Sequence, residues 1–329
     1  MNGGVAGALD AERLRGGGFA QELWRFARPH TVVGTTLSLV ALWGLARGIF
    51  PASSVFANAA GGAPIGAVGG GTLAWTWLAC IGANVYIVGL NQLTDIPLDR
   101  INKPYLPLAS GAWSPRTGWS VALGSLGVSL LAAAAVGSHW LWLTVGLSLA
   151  LGTAYSLPPL RLKRFSFWAA FCIVAVRSLI VNVLLFAHVA NWTGDLRDLP
   201  PPVWLLTFVM FAFSIAIAWF KDLPDVEGDA AHGVETRSVR LGGARVLRSG
   251  AVVLGVCLGL AAAAPLLRHM QSMSTGALVA GQLLILLAFA WSVRRVELSR
   301  KRSIRVFYLT LWGLFFAEYI LFAAAGLLA

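Results

Sequence analysis

Residues 72–99 read TLAWTWLACIGANVYIVGLNQLTDIPLD. The stretch Thr72–Leu93 carries no charged side chain. It is long enough to cross a bilayer once as a helix, which takes roughly 20 residues. Immediately after it come Asp95 and Asp99, with Asn91 one turn before. Asn91, Asp95 and Asp99 are spaced four apart, so one helical face presents all three. Pro97 cannot donate to the helix ladder, so an irregular last turn is expected there. The stretch therefore predicts a membrane-spanning helix that delivers oxygen ligands to one face of the membrane.

Working outward, eight further apolar runs have spanning length. With Thr72–Leu93 they are Thr31–Ile49, Thr117–Val136, Trp140–Leu157, Phe165–Val189, Val203–Phe220, Val246–Leu267, Thr275–Val293 and Ile304–Leu328. The chain has 329 residues, 57% of them hydrophobic and 12% charged. Soluble domains carry about 25% charged residues. The predicted class is an all-α membrane protein of about nine transmembrane helices.

The net charge of +11 could suggest a nucleic-acid partner, but its distribution argues for topology instead. Alternate loops hold twenty-one Lys and Arg, against three (Arg47, Arg197 and Arg268) in the loops between them. That alternation predicts a cytoplasmic N-terminus, an external C-terminus and acidic motifs on the cytoplasmic side. Membrane lipid is the expected contact of the basic loops, and no nucleic acid or protein partner is implied. Residues 1–30 contain Asp10, Glu12 and Glu22 and no apolar core, so they do not read as a signal peptide. They read as a cytoplasmic segment whose stretch Phe19–Ala27 is amphipathic and lies on the membrane surface. Residues 31–329 read as a single transmembrane domain, with a Gly-rich external loop at 51–71. Cys80, Cys172 and Cys257 sit inside apolar runs as small filler, implying neither disulfide nor metal cluster.

A second acidic motif follows the sixth predicted helix: Lys221-Asp222-Leu-Pro-Asp225-Val-Glu-Gly-Asp229. Asp222 and Asp225 share a helical face, and Asp229 stands a turn further on. Six of the fourteen acidic residues fall in these two segments. Solvated carboxylates at helix ends are the plain alternative. They fit poorly, because a helix C-terminus is already negative and two such clusters facing one another would repel. A hard divalent cation removes the conflict. Oxygen ligands without His or Cys point to Mg2+, which commonly joins carboxylates to substrate phosphates. A third segment, Tyr155-Ser-Leu-Pro-Pro-Leu-Arg161-Leu-Lys163-Arg164, ends the fourth predicted helix in prolines and cations. It serves as a positive-inside anchor in any case. Beside a metal, the same cations would also neutralise a leaving diphosphate.

With these motifs in view the chain resembles the UbiA superfamily, in its homogentisate prenyltransferase branch. NQLTDIPLDRINKPYLPLASG at Asn91–Gly111 resembles the first aspartate motif, and KDLPDVEGD with GVETRSVRLG at Lys221–Gly242 the second. Arg28-Pro-His-Thr31, Tyr155–Arg164 and the pattern Phe307, Tyr308, Glu318, Tyr319 match the same branch. Gln92 stands where most of the superfamily has Asp, and it favours this branch over relatives that use 4-hydroxybenzoate. The resemblance implies helices around a central cavity with a cytoplasmic cap. It implies that Asn91, Asp95 and Asp99 hold one Mg2+ and Asp222, Asp225 and Asp229 another. Diphosphate binding would fall to Arg28, Lys103, Tyr155, Arg161, Lys163, Arg164 and Lys221. The implied substrates are a prenyl diphosphate and a small aromatic acid, homogentisate first, losing its carboxylate in the reaction.

Arg177 lies in the middle of the fifth predicted helix, five residues before Asn182. A charge there is costly and usually functional. Both residues are read as acceptor-binding, with a structural pair between Arg177 and a carboxylate such as Glu318 as the alternative. Two rival functions stand beside homogentisate prenylation. One is the same chemistry on another phenol. The other is a polytopic transporter, whose charges should sit near the membrane centre rather than at helix ends.

Overall fold

The computed structural model describes residues 18–50, 66–221, 223, 237–267, 270 and 273–328. Every regular element among them is helical. A short helix, α1 (Phe19–Phe26), precedes α2 (Pro29–Ile49) and α3 (Gly70–Thr94). Two small helices follow, α4 (Ile96–Asn102) and α5 (Pro107–Ser110), then α6 (Pro115–Val136) and α7 (His139–Ser156). The remainder comprises α8 (Ser166–Val189), α9 (Pro201–Phe220), α10 (Arg237–Leu241), α11 (Gly243–Leu267), α12 (Thr275–Arg295) and α13 (Lys301–Leu327).

Each expected span meets a helix within a few residues of its predicted ends. Eight of these helices are long and apolar enough to cross a membrane. The chain is an integral membrane protein. The expected ninth span, α7, is not among the eight. It has 18 residues, about 27 Å of helix against a hydrocarbon core of about 30 Å. His139, Thr144, Ser148, Thr153 and Ser156 also dilute its apolar side chains.

The helices form two compact units. One contains residues up to Thr36 and Gly70–Arg164, the other Leu37–Gly69 and Phe165–Ala329. In the first, α3 packs along α6 and α7. The approach of α3 to α6 is close because both present small residues, as membrane helix pairs commonly do. A Cβ on Gly82 would stand 2.7 Å from the Ser125 carbonyl oxygen, and Ser129 Oγ donates to the Ala79 carbonyl at 2.7 Å. α1 is anchored in the same unit. Phe26 and Ala27 join Val85, Leu108 and Trp113 in a buried cluster, with the Phe26 ring against Gly89.

In the second unit α9 is the inner helix, packed by α8, α11 and α13. α12 packs on α11 and α13. A Cβ on Gly48 of α2 would overlap the backbone of Gly326 on α13, so position 48 has no room for a side chain. Within α8, residues Ala175–Leu185 wind as a π-helix. Such windings are rare and concentrate at functional sites.

Candidate functional site

The helix that carries Asn91 ends where Pro97 requires. α3 stops at Thr94, and Asp95 takes a non-helical conformation (φ −122°, ψ 18°) before α4 begins. Asp95 is thus the N-cap of α4, and Asp99 lies in its first turn. The break turns one long acidic helix face into a corner. Asn91 lies on one arm and Asp99 on the other, with Asp95 at the bend.

Four cations converge on this corner. Lys163 Nζ lies 2.7 Å from Asp95 Oδ1 and also donates to Thr94 Oγ1 at 2.7 Å. Arg161 Nη2 is 3.6 Å from the same Asp95 oxygen and donates to the Thr94 carbonyl at 3.3 Å. On the other arm, Arg28 Nη2 donates to Asn91 Oδ1 at 3.4 Å and lies 3.9 Å from Asp99 Oδ2. Lys103 Nζ is 3.7 Å from Asp99 Oδ1. Arg28 and Arg161 both have positive φ, 53° and 38°. Non-glycine residues adopt that region at a cost, which proteins commonly accept at functional sites. Here the cost brings two guanidinium groups onto one acidic corner.

The electrostatics follow from shielding. Burial raises the Asp99 carboxyl above its ordinary value, with Lys103 and Arg28 pulling it back. Burial lowers the Lys103 ammonium, and Arg28 lowers it further. Burial likewise lowers Lys163, partly offset by its bond to Asp95. Asp99 Oδ2 is buried without a hydrogen-bond partner among the described residues, as are Arg28 Nε and Arg161 Nε. A buried carboxylate oxygen lacking a donor is costly. It suits a hard cation, and so does the rest of the donor set: two carboxylates and one amide oxygen, without sulfur or imidazole. No group of three His, Cys, Asp or Glu occurs among the described residues. Asp222, Asp225 and Asp229 lie outside them.

The other expected diphosphate ligands are not drawn in alike. Tyr155 is half-buried on α7, Arg164 is exposed after the short turn Leu162–Arg164, and Lys221 is exposed at the C-cap of α9. Gln92, expected to mark the branch, faces away from the corner. It is 1% exposed, and its Nε2 donates to the Phe26 carbonyl at 2.7 Å. Only a donor suits that carbonyl, which is a physical reason for an amide where an acid would repel.

The second unit holds its own polar cluster. Arg177 lies on the π-helical stretch with its guanidinium 4.6 Å over the Trp312 ring. Asn182 is fully buried, and its Nδ2 donates to the Arg177 and Ser178 carbonyls at 3.0 and 2.8 Å. The i→i+5 winding brings the Arg177 carbonyl within reach of Asn182. Tyr319 donates to Asn182 Oδ1 at 2.8 Å. The hydrogen bond that Glu318 accepts comes from Gln282, whose Nε2 donates to its Oε2 at 2.6 Å. Sequence spacing does not reveal Trp312, Gln282 or the Tyr319 bond as parts of this cluster: Glu318 enters the sequence reading in the helix pattern and as a candidate partner of Arg177, Tyr319 in the pattern alone, and a π winding leaves no mark in side-chain periodicity.

Comparison with known proteins follows the same lines. Homogentisate phytyltransferase from Synechocystis sp. is 44% identical over 312 residues, covering 93% of this chain and 95% of that one. The chloroplastic homogentisate solanesyltransferase of Arabidopsis thaliana is 33% identical over 313 residues, 92% of this chain and 76% of the relative. Among solved structures, a UbiA homolog from Archaeoglobus fulgidus bound to DMAPP and Mg2+ superposes with a TM-score of 0.59. It covers 91% of this chain and 99% of that one at 18% identity, a likeness of fold. Residues 48–317 match the model of the UbiA prenyltransferase family, and the chain belongs to that family.

Proposed function

We propose that this protein transfers a prenyl group from its diphosphate onto homogentisate. The observation that carries the reading is the corner at Asn91, Asp95 and Asp99, where oxygen ligands and four cations meet and Asp99 Oδ2 has no hydrogen-bond partner among the described residues. The similarity to homogentisate phytyl- and solanesyltransferases supports the acceptor. Asn91, Asp95 and Asp99 are proposed to hold Mg2+, with Asp222, Asp225 and Asp229 as a second set. Bound there, the metal would supply Lewis-acid stabilisation of the leaving diphosphate.

The chain's own residues do the rest. Lys163, Arg161, Arg28 and Lys103 turn from the carboxylates to diphosphate oxygens, and so neutralise the charge that grows as the carbon–oxygen bond breaks. Tyr155, Arg164 and Lys221 are proposed to complete that binding. The allylic cation released has few nucleophiles to meet in an apolar, water-poor setting. The electron-rich ring then attacks it and releases the proton it carried at that carbon, and the side-chain carboxylate leaves as CO2 with a proton taken up in its place. Arg177 is proposed to hold the acceptor carboxylate in its two-pronged fork, oriented by Trp312, with Asn182 held by Tyr319 beside it.

The finer architecture belongs to the same proposal. It comprises nine crossings with α7 as the ninth, one transmembrane domain over 31–329, and a cytoplasmic N-terminus and active side. The alternation of basic loops supports the orientation. The central cavity and cytoplasmic cap rest on the family resemblance.

The test is direct. Purified protein is incubated with a panel of prenyl diphosphates and aromatic acids, with Mg2+ or with EDTA, and products are identified by mass. Prenylated, decarboxylated homogentisate formed only with Mg2+ is expected. Turnover of another phenol in preference, or full turnover in EDTA, would overturn the reading.

A further inference from the structure

The hairpin of α11 and α12 carries a groove that the chemistry above does not use. Residues 244–255 of α11 and 286–298 around the end of α12 enclose a cavity of about 500 Å3. Its walls include Val252 and Leu286, and Ala251 and Gly255 keep its floor low. Val252 is 59% exposed, so the groove opens outward rather than into the unit's core. At its mouth stand Arg248 and Arg294, both exposed and neither in an ion pair among the described residues. Among the described residues no carboxylate lines it. The acid nearest in sequence to Arg294, Glu297, is bonded to Arg300 at 2.8 Å. From Arg248 to Gly255 the helix advances about 10 Å. The groove therefore runs from two cations at the hairpin's basic end into its membrane-spanning length.

We propose that this groove binds one anionic glycerophospholipid. Its phosphate lies between Arg248 and Arg294, and one acyl chain lies against Val252, Gly255 and Leu286. The argument is charge complementarity along a polarised slot. A planar guanidinium pairs with phosphate oxygens in two-pronged fashion, and two of them match a single phosphodiester. Basic pockets between membrane helices are established binding places for anionic headgroups. A prenyl diphosphate has a similar outline but is more highly charged and requires a metal, and a groove without carboxylates has nothing to hold one. The proposal rests on the helices spanning a membrane, and not on the prenyl-transfer reading.

Native mass spectrometry of the full chain tests it. Phosphatidylglycerol and phosphatidylcholine with the same acyl chains are titrated separately. One phosphatidylglycerol should be retained, in preference to phosphatidylcholine. The double variant Arg248→Gln/Arg294→Gln should bind it about thirtyfold more weakly, the loss expected from two basic residues at a membrane surface. Gly255→Leu gives a second arm. A Cβ there meets nothing within 4 Å, so the new side chain grows into the groove without displacing a neighbour. Leucine also favours helix over glycine. This variant should melt like the native protein, keep prenyl transfer, and lose the lipid. If the double variant does not fold, Gly255→Leu decides alone. Equal retention of both lipids would overturn the proposal. So would native affinity in either variant, or one-for-one displacement of the lipid by a prenyl diphosphate.

Discussion

Replacing Lys163 with methionine removes one charge and keeps the length of the side chain. Nζ sits 2.7 Å from Asp95 Oδ1, and the two side chains are 11% and 16% exposed. At that shielding a charge-assisted hydrogen bond contributes about 1.5–3 kcal/mol net. If Lys163 passes from Asp95 to a diphosphate oxygen during binding, the variant loses that contribution toward substrate. Each 1.4 kcal/mol is tenfold, so kcat/KM for the prenyl diphosphate should fall about 10- to 150-fold. The KM for the aromatic acid should not move. Lys163→Arg should recover part of the loss, because it keeps the charge and changes the geometry. The assay is initial-rate kinetics with each substrate varied in turn, alongside thermal melting of the purified protein. A diphosphate kcat/KM within about twofold of native, together with a lower melting temperature, would show that Lys163 only latches Asp95 in place.

Four further outcomes are expected. Burial holds the Asp99 carboxyl above the ordinary 3.8. The charged form that binds Mg2+ is then lost as pH falls through that raised value, so Mg2+-pyrophosphate binding should weaken sooner on the acid side of neutrality than an ordinary carboxylate allows. Calorimetry across pH should show this in the native protein and not in Asp99→Asn. Gln92→Glu sets a carboxylate against the Phe26 carbonyl and should destabilise the protein by at least about 1–3 kcal/mol; denaturation that leaves stability unchanged would refute the contact. Arg177→Leu should raise the KM for the aromatic acid about tenfold or more while sparing the prenyl diphosphate. Arg177→Lys should rescue little, since an ammonium cannot stack over Trp312 as a guanidinium does, and a loss confined to the diphosphate would remove Arg177 from the acceptor site. A reporter fused after Ala329 should be external and one inserted between Arg294 and Arg305 cytoplasmic; the reverse pattern would invert the topology.

The spans were legible because membrane helices declare themselves by uninterrupted apolar length, and that signal does not depend on tertiary packing. The corner at Asp95 was legible as well, through Pro97, whose missing N–H cannot continue the ladder of α3 but suits the first turn of a new helix. The sequence carried less about which cation meets which carboxylate. Arg28 lies 71 residues from Asp99 in the chain and Lys163 lies 68 from Asp95, and only the fold brings each to its carboxylate. Gln92 was read from the family pattern with no mechanism attached, because its partner is a backbone carbonyl and no side-chain pattern records one. The cluster around Arg177 was half visible. A buried charge announces itself, but the change from α to π winding over Ala175–Leu185 shifts which residues share a face, so helical spacing misassigns its neighbours.

Arg28 stands two residues beyond the end of α1, and α1 is fastened by Phe26 packed on Gly89 and by the Gln92 bond. Its outer residues, Phe19 and Trp24, are 62% and 49% exposed, as suits a helix half sunk in the lipid headgroups. The proposed diphosphate clamp would then have one of its jaws carried by α1 at the membrane surface. A solubilising agent that strips the headgroup layer should on that reading loosen α1 first and withdraw Arg28 from Asn91 and Asp99 with every transmembrane helix still intact. Preparations of this enzyme can thus be well folded by circular dichroism and yet poor in substrate affinity, and reconstitution into bilayers, rather than refolding, is the treatment that should restore them.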